Sequence, residues 1–247
     1  MSEQKKSGFW ESARTILYAV LVALLVRTFA YEPFNIPSGS MLPTLLVGDY
    51  LFVAKFSYGY SRYSFPLGLP VLPERILYKP PERGDVVVFK LPTDNRTDYI
   101  KRIIGLPGDE VQVRQGRLFI NGELVERTRI EDYVGEVPGG QSIRLAQYVE
   151  TLPNGRKHLI LEASDSGQLD NTPIYKVPAD HFFAMGDNRD NSLDSRVPQA
   201  VGFIPAENLI GRAEFLFFSV DGSAHIWEIW KWPTAIRWGR IFNAIAP

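Results

Sequence analysis

A small polar step, Ser38-Gly39-Ser40, lies inside the segment FNIPSGSMLPTLLVGD at residues 34–49. Pro37, Pro43 and Gly39 keep the backbone of this segment out of a helix, so it can present the Ser40 hydroxyl and leave room for a substrate backbone. The pattern makes Ser40 a candidate nucleophile. A plain turn between two strands is the alternative, because serine beside proline and glycine is common in turns.

A lysine in the segment YIKRIIGLPGD, residues 99–109, is a candidate for the base that such a nucleophile needs. On a strand, Lys101 and Arg102 point to opposite faces, and we expect one of the two cations to lie among apolar neighbours. If that cation is Lys101, desolvation lowers its pKa, and a lysine near neutrality can take a proton from a serine hydroxyl. An ordinary surface lysine is the alternative.

A third segment, GDNRDNSLDSR at residues 186–196, mixes carboxylates, amides, arginines and serines. Counted from Asp190, a calcium loop would need glycine where Ser195 stands and glutamate where Val201 stands, so the segment does not predict a metal site. Mixed charge at this density favours internal ion pairs and side-chain-to-backbone hydrogen bonds, which would hold a loop rigid beside a site.

The elements that must position these groups begin with an apolar segment. Residues 16–26 are all apolar, and extension to residues 13–30 gives roughly 27 Å of helix, enough for a marginal membrane span. Lys5, Lys6 and Arg14, before the apolar run at residues 16–26, outweigh Arg27 behind it, which predicts that residues 1–12 are cytoplasmic and that the chain after about residue 31 lies outside. A cleavable signal peptide, for which the small-residue exit is missing, and a core helix are the alternatives.

The remainder of the chain reads as mainly β. Segments such as YLFVAKFSYGY, DVVVFKL and HLILEA are rich in β-branched and aromatic residues. A proline-rich stretch at residues 59–83 interrupts this pattern and predicts an irregular excursion. We expect a catalytic β body made of residues 31–115 and 178–247.

A more polar block, residues 116–177, separates the two parts of that body and predicts a small inserted β subdomain. Asn121-Gly122 between two strand-like runs is a strong signal for a hairpin. Further turn chemistry occurs at residues 138–140 and 153–155.

Composition excludes several classes of function. The 27 Lys and Arg residues nearly balance the 28 Asp and Glu residues, so no overall field favours nucleic acid, and we expect none to bind. The chain has no cysteine, which rules out a disulfide, a thiolate nucleophile or a Cys-ligated metal.

The C-terminal segment concentrates the tryptophans. Four of the five Trp residues lie there, near several basic residues: Trp227, Trp230, Trp232 and Trp238. Indole rings favour the bilayer interface, so the segment predicts contact with a membrane surface. An aromatic edge packed on the β body is the alternative.

Taken in order, the apolar anchor and the segments PSGSMLPTLLVGD, RGDVVVFK, YIKRIIGLPGD and GDNRDNSLDSR resemble those of the bacterial type I signal peptidase (leader peptidase) family. These are membrane-anchored proteases with a Ser/Lys dyad. The resemblance runs from the anchor to about residue 196. It implies a signal-peptidase-type β-barrel or sheet behind one transmembrane helix, without a metal or a cofactor.

The resemblance also implies roles for single residues. Ser40 is expected to be the nucleophile and Lys101 the general base, with Ser192 orienting the lysine. The Ser40 backbone N–H and the Ser38 hydroxyl are expected to hold the oxyanion.

Two structural ion pairs are implied as well, Asp187 with Arg102 and Asp194 with Arg196. A substrate cleft that accepts only small side chains is expected to be lined by six residues: Ile36, Pro37, Met41, Leu45, Tyr99 and Ile100.

The expected function is therefore removal of N-terminal signal peptides from exported preproteins after small-x-small sites. The expected location is the inner (plasma) membrane, with the catalytic domain on its outer side. Signal peptides, the lipid bilayer and the protein translocation machinery are the expected partners. A peptidase dedicated to one exported substrate and a catalytically silent, membrane-tethered peptide-binding scaffold are the alternatives.

Overall fold

The computed structural model describes residues 3–65, 72–137, 141–224 and 227–245. The predicted turn at residues 138–140 lies outside the described residues, as do residues 66–71 of the proline-rich stretch.

The chain begins with a long helix, α1 (Glu3–Phe29). Its part from Phe9 to Phe29 is long and apolar enough to cross a membrane, judged by length and composition, and it begins before the predicted residue 13. None of the apolar window is buried against the rest of the protein. This exposure contradicts the alternative of a core helix, because a core helix would bury its apolar side chains.

The described part of the chain otherwise forms mostly strands, which confirms the expectation of a mainly β fold. In chain order the strands and the one further α-helix are β1 (Tyr31–Asn35), β2 (Asp49–Ala54), β3 (Val86–Lys90), β4 (Asp98–Gly105), β5 (Glu110–Arg114), β6 (Arg117–Ile120), β7 (Glu123–Leu124), β8 (Glu126–Arg129), β9 (Tyr133–Val137), β10 (Gln141–Thr151), β11 (Lys157–Glu162), β12 (Tyr175–Lys176), β13 (His181–Met185), β14 (Ile204–Pro205), β15 (Leu209–Ser219) and α2 (Trp232–Ala235).

A seven-stranded sheet forms the main body, in the order β1-β2-β15-β3-β4-β13-β14. Strand β3 shows why it is stable: Val86 and Val88 pack into one hydrophobic cluster, and Val87 and Phe89 pack into another. Successive side chains of a strand point to opposite faces, so the sheet is covered on both sides at this strand. The unbroken apolar run VVVF is typical of such a strand.

The polar block forms two smaller sheets, β12-β5-β6-β7 and β11-β10-β8 with β9 paired to β10. Strand β5, just before the predicted start of the block, pairs with β6 and β12 and so belongs to the first of these sheets. Asn121 and Gly122 form the predicted turn between β6 and β7, with φ angles of 54° and 80°. Positive φ at both central residues is the geometry that a tight hairpin turn requires.

The C-terminal segment leaves its tryptophans open to solvent. Trp227, Trp230 and Trp238 are strongly exposed, and Trp232 is partly exposed. Small and aliphatic residues of the segment, Ala235 and Ile245, are buried in their place. The structure therefore does not support the alternative of an aromatic edge packed on the β body.

Candidate active site

Ser40 lies in a short 3₁₀ turn, Gly39–Met41, between β1 and β2. The loop closes where Ile36 N–H donates to Asp49 O and Gly48 N–H donates to Ile36 O. Met41 is fully buried and fixes the turn against the body. The sequence pattern of prolines, glycine and apolar residues thus produces a single 3₁₀ turn with a buried anchor, and not an α-helix.

Lys101 reaches this turn from strand β4. Its Nζ lies 2.6 Å from Ser40 Oγ and donates to Ile100 O at 2.9 Å. Lys101 is 4% exposed and Ser40 is 8% exposed. The two groups that the sequence proposed as nucleophile and base are therefore within hydrogen-bond distance of each other in a site with little access for water.

The site makes Lys101 easier to deprotonate than a lysine in water. Burial lowers the pKa of Lys101 to about 8, although the negative charges of Asp194 and Asp187 act in the opposite direction. Roughly one Lys101 in ten is then uncharged at pH 7. The lone pair of that neutral amine can accept the Ser40 hydroxyl proton over the same 2.6 Å.

Arg102, on the other face of β4, is held by two parallel hydrogen bonds to Asp187, Nε–Oδ1 at 2.9 Å and Nη2–Oδ2 at 2.8 Å. Burial raises the pKa of Asp187, but the Arg102 charge outweighs it and the pKa is lowered. Thr44, just after the 3₁₀ turn that contains Ser40, donates its hydroxyl to Asp187 Oδ2 at 2.5 Å. This network joins the serine loop, β4 and the 186–196 segment.

The second expected pair is also formed. Arg196 donates from Nε to Asp194 Oδ1 and from Nη2 to Asp194 Oδ2, both at 2.9 Å. Gly186 N–H adds a hydrogen bond to Asp194 Oδ2 at 3.0 Å. Both members of the pair are buried, and the pair holds the 186–196 segment in a compact loop beside the site.

Asn188 is a residue of the site that the sequence reasoning missed. Its backbone N–H donates to Ser40 O at 3.1 Å, and its side-chain amide donates to Gly39 O at 3.0 Å. Asn188 therefore fixes the backbone of the serine turn. Its place within a polar motif was visible in the sequence, but its partner was not.

Gly186 is required by a close approach. A Cβ atom there would lie 2.2 Å from Ser192 Oγ and 2.5 Å from Ser40 O, distances that no real Cβ tolerates. The absence of a side chain lets the 186–196 loop contact the catalytic turn directly.

Ser38 and Ser192, the two serines expected to assist Ser40 and Lys101, differ in their exposure. Ser38 is exposed, and its Oγ lies 3.4 Å from Ser40 Oγ. Ser192 is buried, and its Oγ makes no hydrogen bond to Lys101 or to any other described residue. The Ser192 hydroxyl does contribute to lowering the pKa of Asp194, although its geometry falls short of a hydrogen bond. The structure thus places Ser192 next to Asp194 and not on the lysine.

A cavity of about 410 Å³ opens at Ser40 and Lys101. Three of the six residues expected in the cleft line it: Pro37, Tyr99 and Ile100. The other three, Ile36, Met41 and Leu45, are buried in a hydrophobic cluster and are not among its lining residues. Their apolar side chains anchor the loop to the core.

Among the described residues, one group of carboxylates lies close enough to share a cation: Glu162, Asp170 and Asp190, with oxygens within 4.8 Å of one another. Asp190 Oδ2 already accepts from two backbone N–H groups, and Asp170 Oδ2 from one. Burial raises the pKa of Glu162 to about 8. A proton on Glu162 can therefore relieve the repulsion, and no metal is needed to explain the cluster.

Fold and site together define the class of the protein. A β body that presents a buried serine hydroxyl to the amine of a buried lysine is the arrangement of a serine hydrolase that activates its nucleophile with a neighbouring base.

Comparison with known proteins agrees with this class. The family described as "Signal peptidase, peptidase S26" matches residues 9–218. Signal peptidase I of Rickettsia typhi is 40% identical over 243 residues, covering 92% of this chain and 90% of the relative. Signal peptidase I of Rickettsia akari is 38% identical over 255 residues, covering 96% of this chain and 92% of the relative.

A solved structure of a signal peptidase I from Enterococcus faecalis V583 is 30% identical, covers 54% of this chain and 97% of that chain, and gives a TM-score of 0.31. The sequence matches carry the assignment. The chain belongs to the signal peptidase family, peptidase S26, and is a serine peptidase.

Proposed function

We propose that this chain is a membrane-anchored endopeptidase that removes N-terminal signal peptides from exported preproteins after small-x-small sites. Ser40 is the nucleophile and Lys101 the general base. The single observation that supports this most strongly is the 2.6 Å contact between Lys101 Nζ and Ser40 Oγ in a buried site.

The reaction proceeds in two halves. Neutral Lys101 takes the Ser40 proton as Oγ attacks the scissile carbonyl carbon, and the Ser40 N–H and the Ser38 hydroxyl bind the resulting oxyanion. Lys101 then gives its proton to the leaving amine as the C–N bond breaks, which leaves an ester on Ser40. Water, deprotonated by Lys101, hydrolyses the ester and restores the Ser40 hydroxyl.

Ser192 is proposed to act on Lys101 as a positioning residue. Its buried hydroxyl lies beside the serine turn, since a Cβ on Gly186 would contact both Ser192 Oγ and Ser40 O. The charge of Asp194, which the Ser192 hydroxyl helps to keep ionised, raises the pKa of Lys101 and so does not account for this role.

The placement at the membrane follows from the chain order. Helix α1 spans the inner membrane with its N-terminus in the cytoplasm, and β1 follows it after a single residue. The serine turn comes directly after β1, so the nucleophile stays close to the outer membrane face, where a signal peptide ends.

We also propose that the C-terminal tryptophans contact the bilayer. Their exposure supports this. In vesicles that contain brominated lipids, the fluorescence of the full chain should be quenched more strongly than that of a variant with Ser at positions 227, 230, 232 and 238, which retains Trp10 on the helix. Equal quenching would contradict the contact.

The polar block is proposed to be a subdomain, now with bounds near residues 110 and 177, between the two parts of the catalytic body. Buried contacts join it to the 186–196 loop: Arg189 makes two hydrogen bonds to Glu150 on β10, at 2.9 and 2.5 Å. Limited proteolysis is expected to cut the full chain at the ends of this block before it cuts within either part.

The test of the function is cleavage of a preprotein by the full chain in detergent. Ser40→Ala and Lys101→Ala should abolish cleavage, whereas Ser142→Ala and Lys176→Ala, at exposed positions, should not. Full activity in either dyad variant would contradict the dyad. A panel of unrelated preproteins separates general processing from an enzyme dedicated to one substrate.

A further inference from the structure

Three cavities follow one another through shared lining residues, and the middle one contains Ser40. The anchor-side cavity, about 600 Å³, has Arg27, Glu32 and Asp98 among its lining residues and lies at the end of α1. The catalytic cavity holds Ser40 and Lys101 and shares Asp98 with it.

A third cavity, the hairpin cavity of about 430 Å³, continues on the other side of the serine turn. It shares Pro37, Gly39 and Asn191 with the catalytic cavity and reaches the β9–β10 hairpin of the polar block. Ser40 therefore stands in the middle of a path that leads from the end of the membrane helix to this hairpin.

The membrane gives this path a direction. A signal peptide has its apolar core before the scissile bond, and that core stays near the bilayer. The residues before the bond then approach through the anchor-side cavity, and the residues after it continue beyond Ser40. We propose that the hairpin cavity binds the first residues of the mature protein and prefers apolar over acidic side chains there, an inference that rests on the proposed function.

The chemistry of the hairpin cavity supports this preference. Apolar side chains from the serine loop and from the hairpin line it: Leu42, Leu46, Val47, Ile143 and Leu145. Asp190 is the one carboxylate among its described lining residues and would repel an acidic side chain.

The register of the hairpin defines which of its side chains line the cavity. Tyr133 pairs with Leu145, and Gly135 pairs with Ile143, so these side chains share one face. A Cβ on Gly135 would lie 2.4 Å from the Tyr133 hydroxyl oxygen, which means that the tyrosine ring lies across the glycine. Val134, on the opposite face, is exposed and does not line the cavity.

Hydrogen bonds also join the sheet of the hairpin to the 186–196 loop. Strand β10 carries Glu150, which Arg189 binds through two buried hydrogen bonds. The neighbouring strand β11 donates Leu161 N–H to Asp187 O at 2.9 Å. The wall of the cavity is thereby tied to the same loop that fixes the serine turn.

The first test compares two preprotein peptides that differ only at the second residue after the scissile bond, Leu or Asp. The full chain should cleave the Leu peptide with about tenfold higher kcat/KM, mainly through KM. Ile143→Asp and Leu145→Asp should raise KM for the Leu peptide about tenfold with kcat kept, and Ile143→Ala should raise it less. Val134→Asp, the matched control on the other face of the hairpin, should behave like the parent chain.

The second test needs no change in the hairpin. The full-length Ser40→Ala variant is mixed with a preprotein that carries a benzoylphenylalanine either at the fifth position before the scissile bond, outside the small-x-small site, or at the third position after it, and is irradiated. Crosslinks after the bond should fall on Tyr133, Ile143 or Leu145, and crosslinks before it on residues that line the anchor-side cavity.

The outcomes separate the inference from the function beneath it. If the parent chain cleaves the preprotein through Ser40 but discriminates equally after Ile143→Asp, or if the two crosslinks are reversed, the inference is overturned and the proposed function stands. If the folded parent chain cleaves no preprotein, both are overturned.

Discussion

The two faces of strand β4 carry two neighbouring buried cations, Arg102 and Lys101, which differ in their hydrogen-bond partners. Arg102 is almost fully buried against Asp187, with both partners 1% exposed, and the carboxylate stays ionised there. Lys101 is equally enclosed, but its described partners are a hydroxyl and a backbone carbonyl, and its pKa falls to about 8.

This difference shows that the partner, and not burial alone, decides what a buried cation does. A carboxylate in bidentate contact keeps an arginine charged and makes it structural. A buried lysine without such a contact has a lowered pKa, because burial disfavours its charged form, and a lowered pKa is what a general base near neutrality requires. We expected one of the two cations to lie among apolar neighbours, and both are buried.

The largest effect is expected at Lys101. Lys101→Ala should lower kcat/KM for a preprotein by about 10³ to 10⁴, because the proton acceptor is lost. Lys101→Arg should be as inactive, since arginine stays charged. Activity within tenfold of the parent chain in either variant would show that the base lies elsewhere, and circular dichroism checks that both variants are folded.

Loss of Arg102 should lower stability, whereas loss of Lys101 should lower activity. Arg102→Ala leaves Asp187 buried without its counter-charge, so the free energy of unfolding should fall by about 3 to 5 kcal/mol. Denaturant unfolding of the full chain in detergent measures this. The matched control is Arg144→Ala, an exposed arginine whose loss should cost less than about 0.5 kcal/mol. A larger loss of stability for Lys101→Ala than for Arg102→Ala would reverse the comparison.

Two serines near the dyad, Ser38 and Ser192, should affect kcat to different extents. Ser38→Ala should lower kcat by about 10² to 10³ with little change in KM, because an oxyanion donor acts only in the transition state. Ser192→Ala should lower kcat less, since its hydroxyl lies beside Asp194 and makes no hydrogen bond to the lysine. The reverse order of the two effects would favour Ser192 as the residue that orients Lys101.

Glu162, which is buried in the polar block, should affect stability only at higher pH. Its pKa of about 8 in the folded chain exceeds the unfolded value near 4.5, so the folded state binds the extra proton and stability falls as pH rises between these values. Glu162→Gln should match the parent chain within about 1 kcal/mol at pH 5 and gain on it towards pH 8. Unfolding curves at both pH values test this, and a constant difference would contradict the raised pKa.

The sequence predicted the local features well. The serine loop without an α-helix, the strand that carries Lys101 and the Asn121-Gly122 hairpin all follow from residue types that admit few backbone conformations. The turn at Gln115 and Gly116, with φ angles of 49° and 68°, was missed because glutamine rarely adopts positive φ. This turn pairs β5 with β6.

What the sequence did not show concerns contacts between distant segments. Ile36, Met41 and Leu45 flank Ser40 in sequence and pack into the core, where they anchor the turn. Asn188 fixes the serine turn across 149 positions of the chain. No local pattern reports such a pairing, since tertiary packing decides it.

The pH dependence of kcat/KM for a preprotein tests the central claim most directly. If neutral Lys101 is the base, the rate should rise with pH and level off with an apparent pKa of about 8 on that limb. A limb governed by a value near 10.5, or one that does not change between pH 6 and 9, would contradict the account.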